Sequence, residues 1–435
     1  MSTSDSFLRF AGDVVIKDAR ITSLVSGTSM NIQNLVIGVN IYEDLFSSFI
    51  TGSLVVNDSL DLMNSFPFVG EEFLSLKVFT PSLEDNKDIF DQVFYIYKIS
   101  NRVYQAERNV VYEMHFISQE ASVDLNNSIS KSYSGKPSDI VKTLLGADGL
   151  GTERIGLIEE TKNNTKYTSN FWSPSKNFNY LANQAVSNRD SASFVFFENR
   201  AGFNFVSLET LSAAAASQVF NYNSSSRDHD PNSKINSSYR NIERDYQRIN
   251  ELTVPVVVDS LDKLKSGAFG SVLISHDLVT KRYRVNKFDY LDNFDNEVHL
   301  NKYPVTNRNV SYTLTRPESV VMTKEIHYGL YDNFGDVSNN NSLQKRLYRI
   351  LQIENHKVKI TVPGRTDYTV GMVVELDINQ AESITEVTDA TKDKFLSGKY
   401  LIAAIHHAID KERHECVMEL IKDTFIGNIA KFGEV

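Results

Sequence analysis

The chain has 435 residues, 41% of them hydrophobic, enough to bury several cores and to form about two to four domains. A net charge of -10 gives no global support for gripping nucleic acid or an anionic membrane. The single cysteine, Cys416, is expected to exclude an intrachain disulfide and any cysteine-based zinc cluster. Phe and Tyr number 26 and 20 against 9 Pro, a bias toward aromatic-rich β structure.

The first ten residues are polar and lack a basic segment followed by an apolar core, so no secretory signal is expected. No apolar run approaches the ~20 residues that span a bilayer, so a soluble chain without membrane insertion is expected. Strands are expected at 14–16, 35–41 and 50–56, the last punctuated by Asn57-Asp58-Ser59, with a single helical turn at 60–63. Residues 71–80 and a hairpin of 93–99 and 110–117 around a turn at 101–109 complete a first antiparallel β domain, 1–122.

The pattern changes at Lys136. Pro137 suits a first helical turn, Ile140, Val141, Leu144 and Leu145 share a face, and Gly146 stops the helix. A second helix follows Pro174, with Phe178, Leu181, Ala182 and Ala185 at helical spacing. A hairpin with an aromatic face, 194–197 and 203–206 around the turn 198–202, then completes a small α+β domain, 123–220.

Residues 221–239, rich in Ser, Asn and Asp, have the composition of a linker. Strand returns at 251–259, where Pro255 argues for an edge or a bulge. An inserted domain, 263–344, has short strand-like runs at 271–274, 282–285 and 298–300 and an Asn-rich break at 339–341. Residues 343–353 have helical content, with Leu347, Ile350 and Leu351 on one side. The second β domain, 221–262 with 345–435, ends in a strand carrying Val373, Val374, Leu376 and Ile378. A polar loop and a hairpin of 400–409 and 416–421 follow.

That closing order of strand, loop and hairpin repeats the order at 69–117. Val69-Gly70 answers Val370-Gly371, and Tyr112-Glu113-Met114-His115-Phe116-Ile117 answers Cys416-Val417-Met418-Glu419-Leu420-Ile421. Two copies about 300 residues apart predict duplicated domains, chance likeness of amphipathic hairpins being the competing reading. The expected fold is mainly β with α+β insertions: two similar antiparallel barrel-like tube domains plus two smaller domains.

No catalytic, cofactor-binding or metal residue is expected. His406 and His407 point to opposite faces of a strand and cannot chelate one ion together. His276-Asp277 could orient one another but lack a third ligand or a nucleophile nearby, and Cys416 in an apolar strand is expected to be a buried inert thiol. Metalloprotease, phosphate-loop and nucleophile-elbow motifs do not occur. Glu71-Glu72 and Glu159-Glu160 read as solvated charge. Arg240, Arg244 and Arg248 would share a face if helical, interleaved with Glu243 and Asp245 as an ion-pair lattice.

Five fragments carry a family resemblance: Val69-Gly70-Glu71-Glu72-Phe73-Leu74, Phe196-Phe197-Glu198-Asn199-Arg200-Ala201-Gly202-Phe203, Ser275-His276-Asp277-Leu278-Val279, Thr361-Val362-Pro363-Gly364 and Gly398-Lys399-Tyr400-Leu401-Ile402. The sequence resembles the baseplate hub protein of T-even-type contractile-tailed phages, in its cyanophage-like version, related to the hub part of type VI secretion spike proteins. The resemblance implies a structural homotrimer in the virion tail baseplate, assembled in the host cytoplasm. Such a ring adapts the hexameric tail tube, or tube-initiator proteins, to a separate central spike protein. DNA would pass through its lumen without specific binding, past a wall expected to be acidic or neutral. Tube-wall and oligomer-interface candidates are Val93, Ile99, Met114, Phe116, Tyr400, Ile405, Met418 and Leu420. The alternatives are a tail-associated cell-wall hydrolase, with its acidic pair in the α+β domain, and the hub of a secretion-system spike.

Overall fold

The computed structural model describes residues 10–66, 68–81, 90–106, 109–222, 242–256, 263, 265–277, 281–306, 321–326, 339–354, 356–380, 392–411 and 413–428. The N-terminal part folds as strands β1 (Val15–Thr22), β2 (Ser29–Asn31), β3 (Val36–Asp44), β4 (Thr51–Asp58), β5 (Glu72–Phe79), β6 (Phe90–Ala106) and β7 (Asn109–Ser118). Side chains alternate across each strand with period two. Leu74, Leu76 and Val78 of β5 and Tyr112, Met114 and Phe116 of β7 therefore enter one core with Leu54, Val56, Phe94 and Ile96.

Of the turn expected at 101–109, residues 101–106 are instead strand, because β6 runs on to Ala106, and 107–108 lie outside the described residues. Asn101 adopts a φ of 56°, and the register with β7 slips between Ser100 and Val103. The bulge absorbs one polar residue, after which the β-favouring Val103 and Tyr104 resume pairing with Val111 and Val110.

A middle part follows, with strands β8 (Ile129–Gly135), β9 (Ile155–Ile158), β10 (Thr165–Trp172), β11 (Phe194–Asn199) and β12 (Gly202–Ser207) and helices Pro137–Leu145 and Pro174–Gln184. Its core is aromatic: Phe178 stacks on Phe196 at 4.0 Å, beside Phe194, Phe203 and Phe205. Both helices start on proline where expected, and Ser173 caps the second by accepting from the Lys176 N–H.

After β13 (Val219–Tyr222), a helix spans only Ile242–Tyr246 and ends before Arg248, while Arg240 lies outside the described residues; the expected three-arginine face is not formed by this helix. In β14 (Glu251–Val256), the terminal strand of the large sheet, the register breaks between Thr253 and Val256, so Pro255 sits both at an edge and at an irregularity. The insertion holds β15 (Gly270–Asp277), β16 (Arg282–Asp289), β17 (Tyr303–Pro304) and β18 (Val321–Ile326). Two expectations there are corrected. Residues 298–300 are not strand, and 339–341 is not a break but the start of a helix, Asn339–Ile353.

The C-terminal strands are β19 (His356–Pro363), β20 (Val373–Ile378), β21 (Gly398–Asp410), β22 (His414–Lys422) and β23 (Thr424–Phe425). Val358, Ile360, Val374, Leu376, Tyr400, Ile405, Met418 and Leu420 fill their core.

One 13-stranded sheet joins both ends of the chain in the order β14-β19-β22-β21-β3-β4-β7-β6-β5-β1-β2, with β20 and β13 extending from β21. The two halves follow one path: β3-β4-β7-β6-β5 in the first and β14-β19-β22-β21-β20 in the second. Each hairpin also carries a bulge at the same place, between Ile96 and Lys98 in β6 and between Ile402 and Ala404 in β21. This register makes Met114 equivalent to Met418 and Ile99 to Ile405. It also sets Phe73 against Val373, one residue off the match of Gly70 with Gly371 read from sequence.

Candidate functional site

The halves meet where β3 pairs antiparallel with β21, from Asp44 opposite Ala404 to Gly38 opposite Asp410. On the outer face Tyr42 stacks on His406 at 4.5 Å, and His406 Nε2 lies 2.9 Å from Asn40 Oδ1. On the inner face Glu43 is buried and accepts hydrogen bonds from the Thr369 hydroxyl and, at 3.1 Å, the Val370 N–H. Burial pushes the Glu43 carboxyl up to about 7, against the opposing effect of those two donors.

The turn between β11 and β12 wedges into this junction. Glu198 accepts from the Ile50 N–H at 2.9 Å, the Ser118 hydroxyl at 2.5 Å and Arg154 at 2.7 Å. Burial raises its carboxyl above the usual range, Arg154 acting in the opposite sense. Asn199 donates to the Val370 carbonyl and the Arg200 N–H to the Thr369 hydroxyl. The fragment 196–203 thus links the first half to the loop leading into Gly371, whose φ is 85° and where an added Cβ would stand 3.1 Å from Phe197.

Away from the cores, the joined sheet presents an uninterrupted face. One row crosses seven strands through Thr361, Val417, His406, Tyr42, Thr51, Ile117 and Tyr95. On the seven strands of this row the outward half-buried and exposed acids Asp44, Asp91, Glu113, Asp410, Glu415 and Glu419 outnumber the lysines Lys98, Lys357, Lys359 and Lys399. The candidate wall residues lie on these strands, but Met114 and Phe116 point into the first core and Tyr400, Ile405, Met418 and Leu420 into the second. Ile99 packs partly buried against the first core, and Val93 is exposed. With period two, the alternate residues of the same strands face outward.

Three of the four acids in the two pairs are engaged. Glu72 accepts the N–H groups of Val69 and Gly70 at 2.6 and 3.0 Å; Glu159 accepts the Ser207 N–H and hydroxyl, both at 2.8 Å; Glu160 pairs with Lys136 at 2.6 Å. Glu159 and Glu160 line a cleft of about 430 Å³, yet neither carboxylate is free in it.

The insertion is anchored through Arg349, fully buried, whose guanidinium meets Asp423 at 2.5 Å and donates to the Val298 carbonyl at 2.6 Å, with His299 Nδ1 2.7 Å from Asp423. Arg349, followed by the His299 contact, holds the Asp423 carboxyl well below the usual carboxylate range despite its burial. These polar contacts hold 298–300 out of any strand.

His406 and His407 do point to opposite faces, but the hairpin gives His407 other neighbours. His407 lies opposite Cys416, and His414 precedes Cys416 by two residues, so all three share the inner face. Their ligand atoms lie within 4.8 Å of one another and all three residues are buried. The exclusion of any cysteine-based cluster from composition was too broad: one cysteine rules out a cluster of several cysteines, not this mixed set. Period-two spacing around the turn, H-x6-H-x-C, was the signal for it. His276 is exposed at the end of β15, and the Asp277 side chain lies outside the described residues.

Neither a protein-family model nor a curated protein matches the sequence. Among solved structures the chain is similar to a tail protein from Neisseria meningitidis MC58, at 11% identity and a TM-score of 0.52, over 94% of this chain and 96% of that one. It is similar to the 43 kDa tail protein of prophage MuSo2 from Shewanella oneidensis, at 10% identity and a TM-score of 0.51, over 94% and 100%. The fold is that of prophage tail proteins. A PdpA–VgrG complex from Francisella also matches, at 10% identity and a TM-score of 0.45, over 94% of this chain and 52% of that one. The resemblance to phage tail hubs read from sequence fragments holds at the level of fold.

Proposed function

We propose that the chain is the hub subunit of a contractile tail, a homotrimeric ring that joins tail tube to central spike and lets DNA pass without binding it. Its parts are two tube domains, 1–122 and 221–262 with 345–435, a small α+β domain, 123–220, and an inserted domain, 263–344. Barrel closure in the first tube domain is supported by β2, which pairs with β1 and runs on through a single turn into β3 at the other end of the path. In the second, Asn221 at β13 bridges to Arg248, just before β14.

The observation that carries the ring is the repeated strand path with one junction used. In the second half, the outer edge of β21 from Ala404 to Asp410 is taken by β3. The equivalent edge of β6, beyond Ile96, pairs with no described strand, and β14, the equivalent of β3, pairs only with β19 among the described residues. Tyr97, Val103 and Tyr104 are exposed on that open hairpin. An unpaired edge invites another strand, and closed cyclic symmetry satisfies every such interface. Residues 98–104 of one subunit therefore pair with 251–256 of the next, repeating the β3–β21 seam between chains. The continuous outer face becomes the lumen wall, and its modest excess of acids lets DNA slide where a lysine- and arginine-lined wall would hold phosphate.

The role is structural, in the virion tail; the contacts of Glu159 with Ser207 and of Glu160 with Lys136 support this reading over a cell-wall hydrolase. Mass measurement with negative-stain imaging tests the reading. A ring of three chains is expected; a monomer at every concentration overturns it. Zymography on peptidoglycan should show no clearing.

A further inference from the structure

His407, His414 and Cys416 have no part in that assembly, and their arrangement has a chemistry of its own. His407 Nδ1 lies 3.0 Å from His414 Nε2, and Cys416 Sγ lies 3.3 and 3.4 Å from those two nitrogens. A tetrahedral ion holds nitrogen at about 2.0–2.1 Å and thiolate at about 2.3 Å, which sets neighbouring ligand atoms roughly 3.3–3.6 Å apart. The three atoms are thus already spaced as the edges of a coordination shell, a few tenths of an ångström short.

His407 hydrogen-bonds the backbone of Tyr368, which leaves its Nδ1 lone pair facing the cluster. His414 turns its Nε2 to the same point.

The surroundings fit as well. An added Cβ at Gly364 would fall 2.3 Å from the His414 ring, so the chain keeps a glycine where the ring lies against the end of β19. A cleft of about 190 Å³ lined by Asp245, Arg248, Arg413, His414 and Glu415 gives an entry path.

We propose that His407, His414 and Cys416 form a structural binding site for one zinc ion. Mixed imidazole and thiolate ligands suit this borderline-soft, redox-inert ion, and a dry closed setting suits a structural role. The ion would staple the β21–β22 hairpin on the strand that carries the seam, since His407 also lies opposite Ile41 of β3. In the first half, Tyr112 stands where Cys416 stands, so the site belongs to the second half alone.

The test uses the untagged full-length chain, unfolded in chelator and refolded with ZnCl2 or CoCl2 alone. About one zinc per chain should survive dialysis, and the cobalt form should show a thiolate-to-metal charge-transfer band and intense tetrahedral visible bands. Cys416→Ser should lose the charge-transfer band, and Cys416→Ser and His414→Gln should each weaken retention at least tenfold while keeping native circular dichroism. If those variants fail to fold, the cobalt spectrum of the wild-type chain decides. A folded wild-type chain that retains no stoichiometric zinc and gives no cobalt bands overturns the proposal, as does full zinc retention by a folded Cys416→Ser chain.

Discussion

The two halves of the large sheet run the same path with the same bulge, yet they are finished differently. The first passes from β3 to β4 through residues 45–50, whereas the second places residues 257–355 between the equivalent β14 and β19. The strand flanking β5 is antiparallel β1; the strand flanking β20 is parallel β13. Pairing and face alternation are kept because a one-residue slip would turn a whole apolar set outward. Connections are free to differ because loop-closure cost grows only slowly with length. The long insertion is then tied back by polar contacts: Asn301 donates to the Lys399 and Thr424 carbonyls and accepts from the Lys399 N–H, and Arg349 meets Asp423.

The equivalence can be broken most severely in the cores. Met418→Lys and Met114→Lys each bury an unpaired charge at matching positions and should cost more than about 4 kcal/mol, seen as loss of the cooperative melting transition. The milder Met418→Ala and Met114→Ala should cost about 2–5 kcal/mol each in chemical denaturation. If one is silent while the other is severe, the halves are not one packing repeated. The insertion that separates the halves should fail through its anchor. Arg349→Met leaves Asp423 buried without its guanidinium and should lose about 3–5 kcal/mol, with proteolysis beginning inside residues 263–344.

Assembly should respond to the open edges and not to the seam already made. Val103→Lys with Tyr104→Lys should abolish the ring in light scattering while shifting the melting temperature of the monomer little, since both side chains are exposed. A ring that survives removes β6 from the interface.

Glu43 gives a smaller effect with a defined sign. Its folded pKa of about 7 lies above the usual carboxylate value, so its contribution to stability is full below about pH 4 and is lost as pH rises through 7. Glu43→Gln should stabilise the chain at pH 8 by on the order of 2 kcal/mol and flatten the pH dependence between those limits. No change of slope in pH-dependent denaturation would remove the assigned burial. The smallest contrast lies at two glycines. Gly70 has a φ of 87° and open space around it, while Gly371 at 85° faces Phe197. Gly70→Ala should cost about 1–2 kcal/mol from backbone conformation alone, and Gly371→Ala measurably more in the same denaturation assay.

Period-two alternation and turn residues were enough to read β4, β5, β7, β21 and β22, and Pro137 and Pro174 marked two helices, because these signals act within a few residues. They also showed the repeat, through hairpins whose apolar faces match. The same reading placed Asn101 in a turn and residues 339–341 in a break, since local composition does not report the bulge or the tertiary packing that extend those elements. It missed the histidine and cysteine cluster by weighing His406 and His407 as neighbours instead of across the hairpin. Only the tertiary structure decided that β3 pairs with β21, that Asn40 meets His406 366 residues away, and that Glu198 locks the wedge. The backbone hydrogen-bonding groups of every strand are alike, so which edge joins which is set by side chains brought together from distant parts of the chain.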